Sequence, residues 1–340
     1  MFLEDMKIRY IPLYPFFQDR GGARRHAFEV TRILRTHGHE VESLDWSAEE
    51  IDFSVLIVFG FFIHNPDIII HCHSKGVKIV LIPLFDPMYN KFSYRLTYKI
   101  GRLFPLQNTA KIRKTILDYS DVIIANNEKE KHDIHSIFKV PLNKIIVNHV
   151  GIPGYMYEKN KSIFFDMFYK KYGIKDFVFY PSAAISKRKN QITLIKALKN
   201  TGIKLALTGC DSIDPRVKKE FEQLTENNKN ILCLGSLSVD MLISAYKCAK
   251  VMACVSLAET AGAINLEAGF FGCNLVVGDN PVFREYLKDY AIYVNSRNPK
   301  SIRKGIEIAL SKEKNPELSN FIYKTYSWDN YVQNLLKVIE

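Results

Sequence analysis

The sequence lacks most of the features that would assign a class at a glance. Its 340 residues hold two tryptophans and six cysteines, with no CxxC pair among Cys72, Cys210, Cys233, Cys248, Cys254 and Cys273. That spacing offers neither a zinc ribbon nor a disulfide framework. The cysteines read as reduced, core-packing residues. No apolar run reaches the ~18–20 residues of a membrane span. The opening MFLEDMKIRY places acids early and lacks the basic-then-apolar order of a secretory leader. A cytoplasmic protein is the expectation. No GxGxxG is present, which argues against a dinucleotide-linked oxidoreductase. There is no DxD-like metal motif, no internal repeat and no low-complexity tract. His71-Cys72-His73 is the nearest thing to a metal cluster. Three neighbours on an extended segment alternate faces, so they are not expected to share an ion.

What is present is an ordinary globular composition with a surplus of cations. Hydrophobic residues make up 47% and charged residues 24%, with a formal net charge of +11. Such a surplus favours an anionic partner. Acids are absent from 87–117, which holds Lys91, Arg95, Lys99, Arg102, Lys111, Arg113 and Lys114. Lys91, Arg95, Lys99 and Arg102 follow helical spacing, with Phe92, Leu96 and Ile100 on an adjacent face. Tyr89, Tyr94, Tyr98 and Phe104 add aromatic anchors. A basic amphipathic element of this kind suits an anionic membrane surface. No nucleic-acid motif accompanies it.

Strand and helix patterns alternate throughout, which predicts α/β layers with parallel sheets. Strands are expected at 7–13, 41–44, 54–58, 77–83, 121–125 and 144–148. A helix follows the Gly21-Gly22 loop over 23–37, with Gly38 as its stop. Gly and Pro punctuate 150–154, and a short helix is expected over 164–172. A second set of strands follows at 177–180, 204–208, 231–234, 251–255 and 275–277. Further helices are expected at 242–250, 302–310 and 327–340. The domains are therefore set at 1–155 and 175–325, joined by a linker at 156–174 and completed by a crossover helix at 326–340. Ligands in such sheets bind beyond the carboxyl ends of the strands.

One string carries most of the chemistry: SLAETAGAINLEAGFFGCNLVVG, from Ser256 to Gly278. Glu259 falls on a loop and Glu267 inside the helix that follows. Thr260, Ala261, Gly262 and Ala263 form the helix start between them, where bare N–H groups favour phosphate. Two carboxylates for hydroxyls with a phosphate site between them describe a nucleotide-sugar.

Together these segments resemble glycosyltransferase family 4, retaining enzymes of the GT-B fold. The resemblance spans nearly the whole chain. GGARRHAFEVTRILRTHGHEV resembles the family's glycine loop and first helix, and NKIIVNHVGIP its end of the first domain. KNQITLIKAL resembles the lysine-led helix of the donor domain. ILCLGSLSVDMLISAYKCAKVMACVSLAET with LEAGFFGCNLVV resembles the donor core, and YSWDNYV the C-terminal helix. Two positions depart from the pattern. Ala184 stands where the family has Arg, with Lys187 and Arg188 nearby. Phe85-Asp86 stands where it has His-Asp.

The resemblance implies two Rossmann-like, doubly wound domains facing across a cleft, with the C-terminal helix returning to the first domain. It implies sugar transfer with retention from a nucleoside-diphosphate sugar to a glycan or lipid-linked saccharide, without a cofactor or metal. Glu259 and Lys189 would be catalytic: Lys189 against the departing diphosphate, Glu259 beside the anomeric centre. Arg188, Thr260 to Ala263 and Glu267 would hold the donor. Gly21, Gly22, His26 and Asp86 would serve the sugar or acceptor. The expected location is cytoplasmic, on the inner membrane face where 87–117 docks. The alternative is a non-catalytic glycosyltransferase-like scaffold.

Overall fold

The computed structural model describes residues 5–13, 21–61, 66–85, 109–160 and 166–339, with single positions between 92 and 100. The chain divides into two compact units. One comprises Met1–Gly151 with Trp328–Glu340, the other Ile152–Ser327.

The first unit is built on strands β1 (Lys7–Ile11), β2 (Glu40–Ser43), β3 (Val55–Phe59), β4 (Lys78–Ile82), β5 (Val122–Ala125) and β6 (Ile145–Val147). All pair in parallel, in the order β2-β1-β3-β4-β5-β6. Every residue of β3, VLIVF, is buried. A strand that is apolar on both alternations must be covered on both faces, which parallel crossovers achieve. From β1 the chain passes to β2, and from β3 to β4 on the other side. The neighbours β1 and β3 thus mark a topological switch. The helix Gly22–Thr36 comes next in the chain after β1, with Ala27, Val30, Ile33 and Leu34 buried along one stripe. The C-terminal helix Trp328–Ile339 belongs to this unit and packs on Gly22–Thr36. It buries Trp328, Tyr331, Val332, Leu335, Leu336 and Ile339.

The second unit contains β7 (Val178–Tyr180), β8 (Leu205–Leu207), β9 (Ile231–Cys233), β10 (Val251–Cys254), β11 (Asn274–Gly278) and β12 (Ala291–Val294). The order is β12-β11-β10-β7-β8-β9, again all parallel. Here the switch lies between β7 and β10. The strand β12 is absent from the sequence-based set, because AIYV is only four residues long and partly exposed. Four helices of this unit open with an Asx-Pro pair: Asp214-Pro215, Asn280-Pro281, Asn298-Pro299 and Asn315-Pro316. In each the Asx side chain accepts a backbone N–H of the first turn, and Pro occupies a position where a missing N–H costs nothing.

Some expected boundaries shift. The helix expected at 242–250 runs Val239–Cys248, because Ser238 caps it by accepting from Met241 N. His71-Cys72-His73 lies on the helix Asp67–Ser74, not on an extended segment. Cys72 enters the core, while the His73 ring stands 3.7 Å from Asp121. The cysteines are free, but Cys233 is exposed and Cys210 and Cys248 are only partly buried, so half of them are not core residues. Among the described residues, no helix is long and apolar enough to cross a membrane.

Candidate active site

The strongest grouping of charge in the second unit gathers where β7 and β10 end. The loop after β7 carries Arg188 and Lys189, and the loop after β10 carries Glu259. Their backbones are tied, with Leu257 N donating to Arg188 O at 2.9 Å. The Tyr180 hydroxyl, on the last residue of β7, donates to Lys189 O at 2.9 Å and meets Ser256 Oγ at 2.6 Å. Asn190 takes a left-handed conformation (φ 62°), which Asn tolerates better than most residues. Its side-chain amide then donates to Val255 O and Ser296 O at 3.0 and 2.7 Å. These contacts fix both loops relative to the sheet. The sequence pattern places Lys189 at the start of a helix. It sits instead in the turn before one, and the helix runs Gln191–Leu198. The reason is the left-handed Asn190, which interrupts the α-conformation just ahead of Gln191.

Within this frame, Lys189 Nζ stands 2.5 Å from Glu259 Oε1. Arg188 Nη1 is 3.4 Å from Glu259 Oε2 and donates to Ala258 O at 3.0 Å. Glu259 is buried. Burial pushes its carboxyl up, but the charges of Lys189 and Arg188, with hydrogen bonds from Lys189 and Ser256, hold it below the ordinary carboxylate value. Two cations against one carboxylate leave a net positive charge. Lys187 is exposed, and Ala184 contributes only its backbone, accepting from Gln191 Nε2 at 3.0 Å.

The turn after Glu259 leads into the helix Ala263–Phe270. Gly262 caps it with φ +61° and no side-chain cap. A Cβ at this position would lie 2.3 Å from the Tyr286 hydroxyl and 2.8 Å from Phe283, so Gly is required twice over. Tyr286 in turn donates to Gly262 O at 3.1 Å and accepts from Asn265 Nδ2 at 2.9 Å. Thr260, Ala261 and Ala263 are partly exposed around this turn. Glu267 lies deeper, 1% exposed, with the Tyr246 hydroxyl donating to its Oε2 at 3.0 Å.

Residues 164–328 match the family described as Glycosyl transferases group 1. That span contains Arg188, Lys189, Glu259 and Glu267. Over 296 residues, the chain is 26% identical to an uncharacterised glycosyltransferase of Methanocaldococcus jannaschii, covering 79% of this chain and 74% of that one. Solved structures match at full length. A sucrose-phosphate synthase from Thermosynechococcus elongatus superposes with TM-score 0.76 at 11% identity over 98% of both chains. HepE of Anabaena, solved in complex with UDP-glucose, gives 0.71 at 13% identity over 98% of this chain and 99% of that one. The expected fold class is therefore the one found, with two parallel-sheet Rossmann-like halves as in GT-B glycosyltransferases.

Of the residues expected to serve the sugar or acceptor, Gly21, Gly22 and His26 lie among the described residues of the first unit. Gly21 has φ −84°, and Gly22 is the first helical residue, where an added Cβ would meet nothing within 4 Å. Neither needs glycine for a tight turn, and among the described residues nothing crowds Gly22. Arg24 is exposed and Arg25 half-buried, but His26 is not part of a basic surface cluster. It is 2% exposed, with its ring 4.9 Å from Trp328 and 5.0 Å from Tyr331. Burial lowers its pKa to about 3, so the imidazole is neutral. Asp86 lies outside the described residues. Its neighbour Phe85 is buried, its N–H donating to Glu130 Oε1 at 2.6 Å.

Tyr180, Asn190, Ser256, Tyr246 and Tyr286 belong to this site, and sequence reasoning misses them. Asn190, Tyr246 and Ser256 fall within the segments quoted from the sequence, but nothing there gives them a role.

Proposed function

We propose that this protein is a glycosyltransferase that moves a sugar from a nucleoside-diphosphate sugar to a glycan or lipid-linked saccharide, with retention at the anomeric carbon. The observation that carries the reading is the Lys189–Glu259–Arg188 cluster beside the side-chain-free start of the helix Ala263–Phe270. Breaking the sugar–phosphate bond puts negative charge on the departing diphosphate. Fixed cations and backbone N–H groups placed there lower that barrier. In this reading Lys189 and Arg188 face the diphosphate together with the N–H groups of Thr260 to Ala263. Glu259 accepts from a sugar hydroxyl and steadies positive charge at the anomeric carbon. Glu267 accepts from the ribose. The ion pair with Glu259 keeps Lys189 in place before the donor arrives, and donor phosphates then compete for the ammonium group.

The first unit would bind the acceptor, with the cations Arg24 and Arg25 as its contribution. Metal independence is part of the proposal, so a chelator should leave turnover unchanged. So is membrane docking. Phe92, Leu96 and Ile100 are 74%, 48% and 47% exposed at four-residue spacing, and Lys99 is exposed beside them. Tyr94 points the other way, buried against Phe85 and Phe138. Lys91, Arg95 and Arg102 lie outside the described residues. Arg113 leaves the basic patch altogether, buried among Phe61, Phe85 and Tyr94 and donating to the Tyr94 hydroxyl. Lys114 pairs with Asp118.

A donor panel read by release of free nucleoside diphosphate tests the activity. Turnover of at least one donor, lost in Lys189→Ala and Glu259→Ala, supports it. Diphosphate binding by calorimetry without turnover of any donor would favour the non-catalytic scaffold.

A further inference from the structure

The strands β8 and β9 end side by side, and each delivers a cysteine to that end. Cys233 is the last residue of β9 and is in register with Leu207, the last residue of β8. Beyond Leu207 the chain turns through Gly209, φ +78°, where a Cβ would lie 2.5 Å from Ser182 O. Past that turn Cys210 lies beside the end of β9, its N–H donating to Leu234 O at 3.0 Å. Cys210 Sγ lies 3.7 Å from the carbonyl oxygen of Leu207, the register partner of Cys233, so the two thiols share one end of the sheet. Cys233 is exposed and Cys210 partly so. The remaining thiols differ: Cys72, Cys254 and Cys273 are buried, and Cys248 is partly so.

We propose that Cys210 and Cys233 form a dithiol site that hydrogen peroxide closes reversibly to a disulfide. The electrostatics assign the roles. The neighbouring Cys210 thiol, assisted by Thr225, holds the Cys233 thiol below the ordinary value against the opposing effect of burial. The Cys233 thiol beside it, with burial, pushes Cys210 up. Thiolate character and exposure together select the site of oxidation. The Cys233 thiolate attacks one peroxide oxygen, the O–O bond breaks, and the other oxygen leaves as hydroxide and is protonated to water. The sulfenic acid on Cys233 is then attacked by the Cys210 sulfur. The S–O bond breaks, a second water leaves, and the S–S bond forms. Two thiols are oxidised and one peroxide is reduced to two waters.

The position matters for the neighbouring site. The segment from Thr208 to Asp214 is stitched to the loop after β7. Thr208 Oγ1 both accepts from Ser182 N and donates to Ser182 O at 2.8 Å. Ile185 N donates to Ser212 O, and Asp214 N to Ile185 O, each at 2.9 Å. That loop runs directly into Arg188 and Lys189.

Peptide mapping without reduction decides the proposal and does not depend on any sugar-transfer activity. The full-length native protein is treated with hydrogen peroxide, and the remaining thiols are blocked with N-ethylmaleimide. The expected product is a single cross-linked peptide pair containing Cys210 and Cys233, lighter by two hydrogen atoms and restored by dithiothreitol. In Cys210→Ser the reaction should stop at a sulfenic acid on Cys233, trapped by dimedone. Cys233→Ser, at an exposed position, should yield no cross-link. The proposal is overturned if wild-type Cys233 passes to sulfinic acid without the linked peptide, or if Cys210 pairs with a different cysteine.

Discussion

Glu259 shows how a residue's chemistry depends on what is folded around it. As a lone buried acid it would be costly. Beside Lys189 and Arg188 it is ionised and held in place. Removing one partner of such a pair leaves the other charge buried. Lys189→Ala should therefore cost up to about 3 kcal/mol of stability and about 10²-fold or more in turnover. In a chemical-denaturation series, Lys189→Ala/Glu259→Ala should be less destabilised than the sum of the single variants. Strict additivity would show that the two do not interact. His26 gives a pH prediction. Its pKa falls from 6.5 in the unfolded chain to about 3 in the fold. The unfolded chain takes up the proton first, so the contribution of neutral His26 is fully present above pH 6.5 and is lost progressively between 6.5 and 3. Each unit of that window is worth about 1.4 kcal/mol at most. His26→Phe should flatten this part of the stability–pH curve, and a curve of unchanged slope would remove His26 as its cause. In the sequence, His26 directly follows Arg24 and Arg25 and so resembles a polar surface residue. Only the Trp328 and Tyr331 rings, some 300 residues further on, decide otherwise, and local spacing does not report such contacts.

At the level of elements, strands rich in Val, Ile and Leu are legible because β-branched apolar runs suit few other structures. Their ends are less so. Four of the second unit's helices begin where Asx-Pro pairs place them. Asn298 accepts from both Lys300 N and Ser301 N. Asn298→Ala should cost about 1 kcal/mol in thermal or denaturant unfolding, and no loss would mean the cap is replaced by solvent. The element around Phe92 to Ile100 makes a different prediction. Its outward apolar face should bind vesicles containing anionic lipid and ignore neutral phosphatidylcholine ones. Phe92→Glu with Ile100→Glu should abolish co-sedimentation while leaving donor hydrolysis intact. Equal binding of the variant would refute docking through this face. Spacing along the chain reveals the helical periodicity of this element but misplaces Arg113. A guanidinium can stack within aromatic rings as readily as it can face water, and charge counting does not distinguish the two.

Across the whole molecule, the chain leaves the first unit at Gly151 and returns to it at Trp328. Asn148 Nδ2 donates to Tyr331 O at 2.9 Å, fastening the returning helix. Deleting 328–340 should therefore lower the unfolding temperature of the first unit and leave the hydrogen-exchange protection of β7 to β12 unchanged. Equal loss in both units would contradict this division. Local pattern was enough for the class of fold, the two sets of parallel strands and the string from Glu259 to Glu267. Periodicity, turn residues and motif spacing are each set within a dozen or so neighbouring residues. Which charges meet was settled only by the packed sheets. Lys189 and Glu259 are 70 positions apart, and they form a pair only because β7 and β10 lie side by side with their connections leaving in opposite directions. Strand order is set by the packing of the whole sheet, so no local pattern along the chain encodes that pairing.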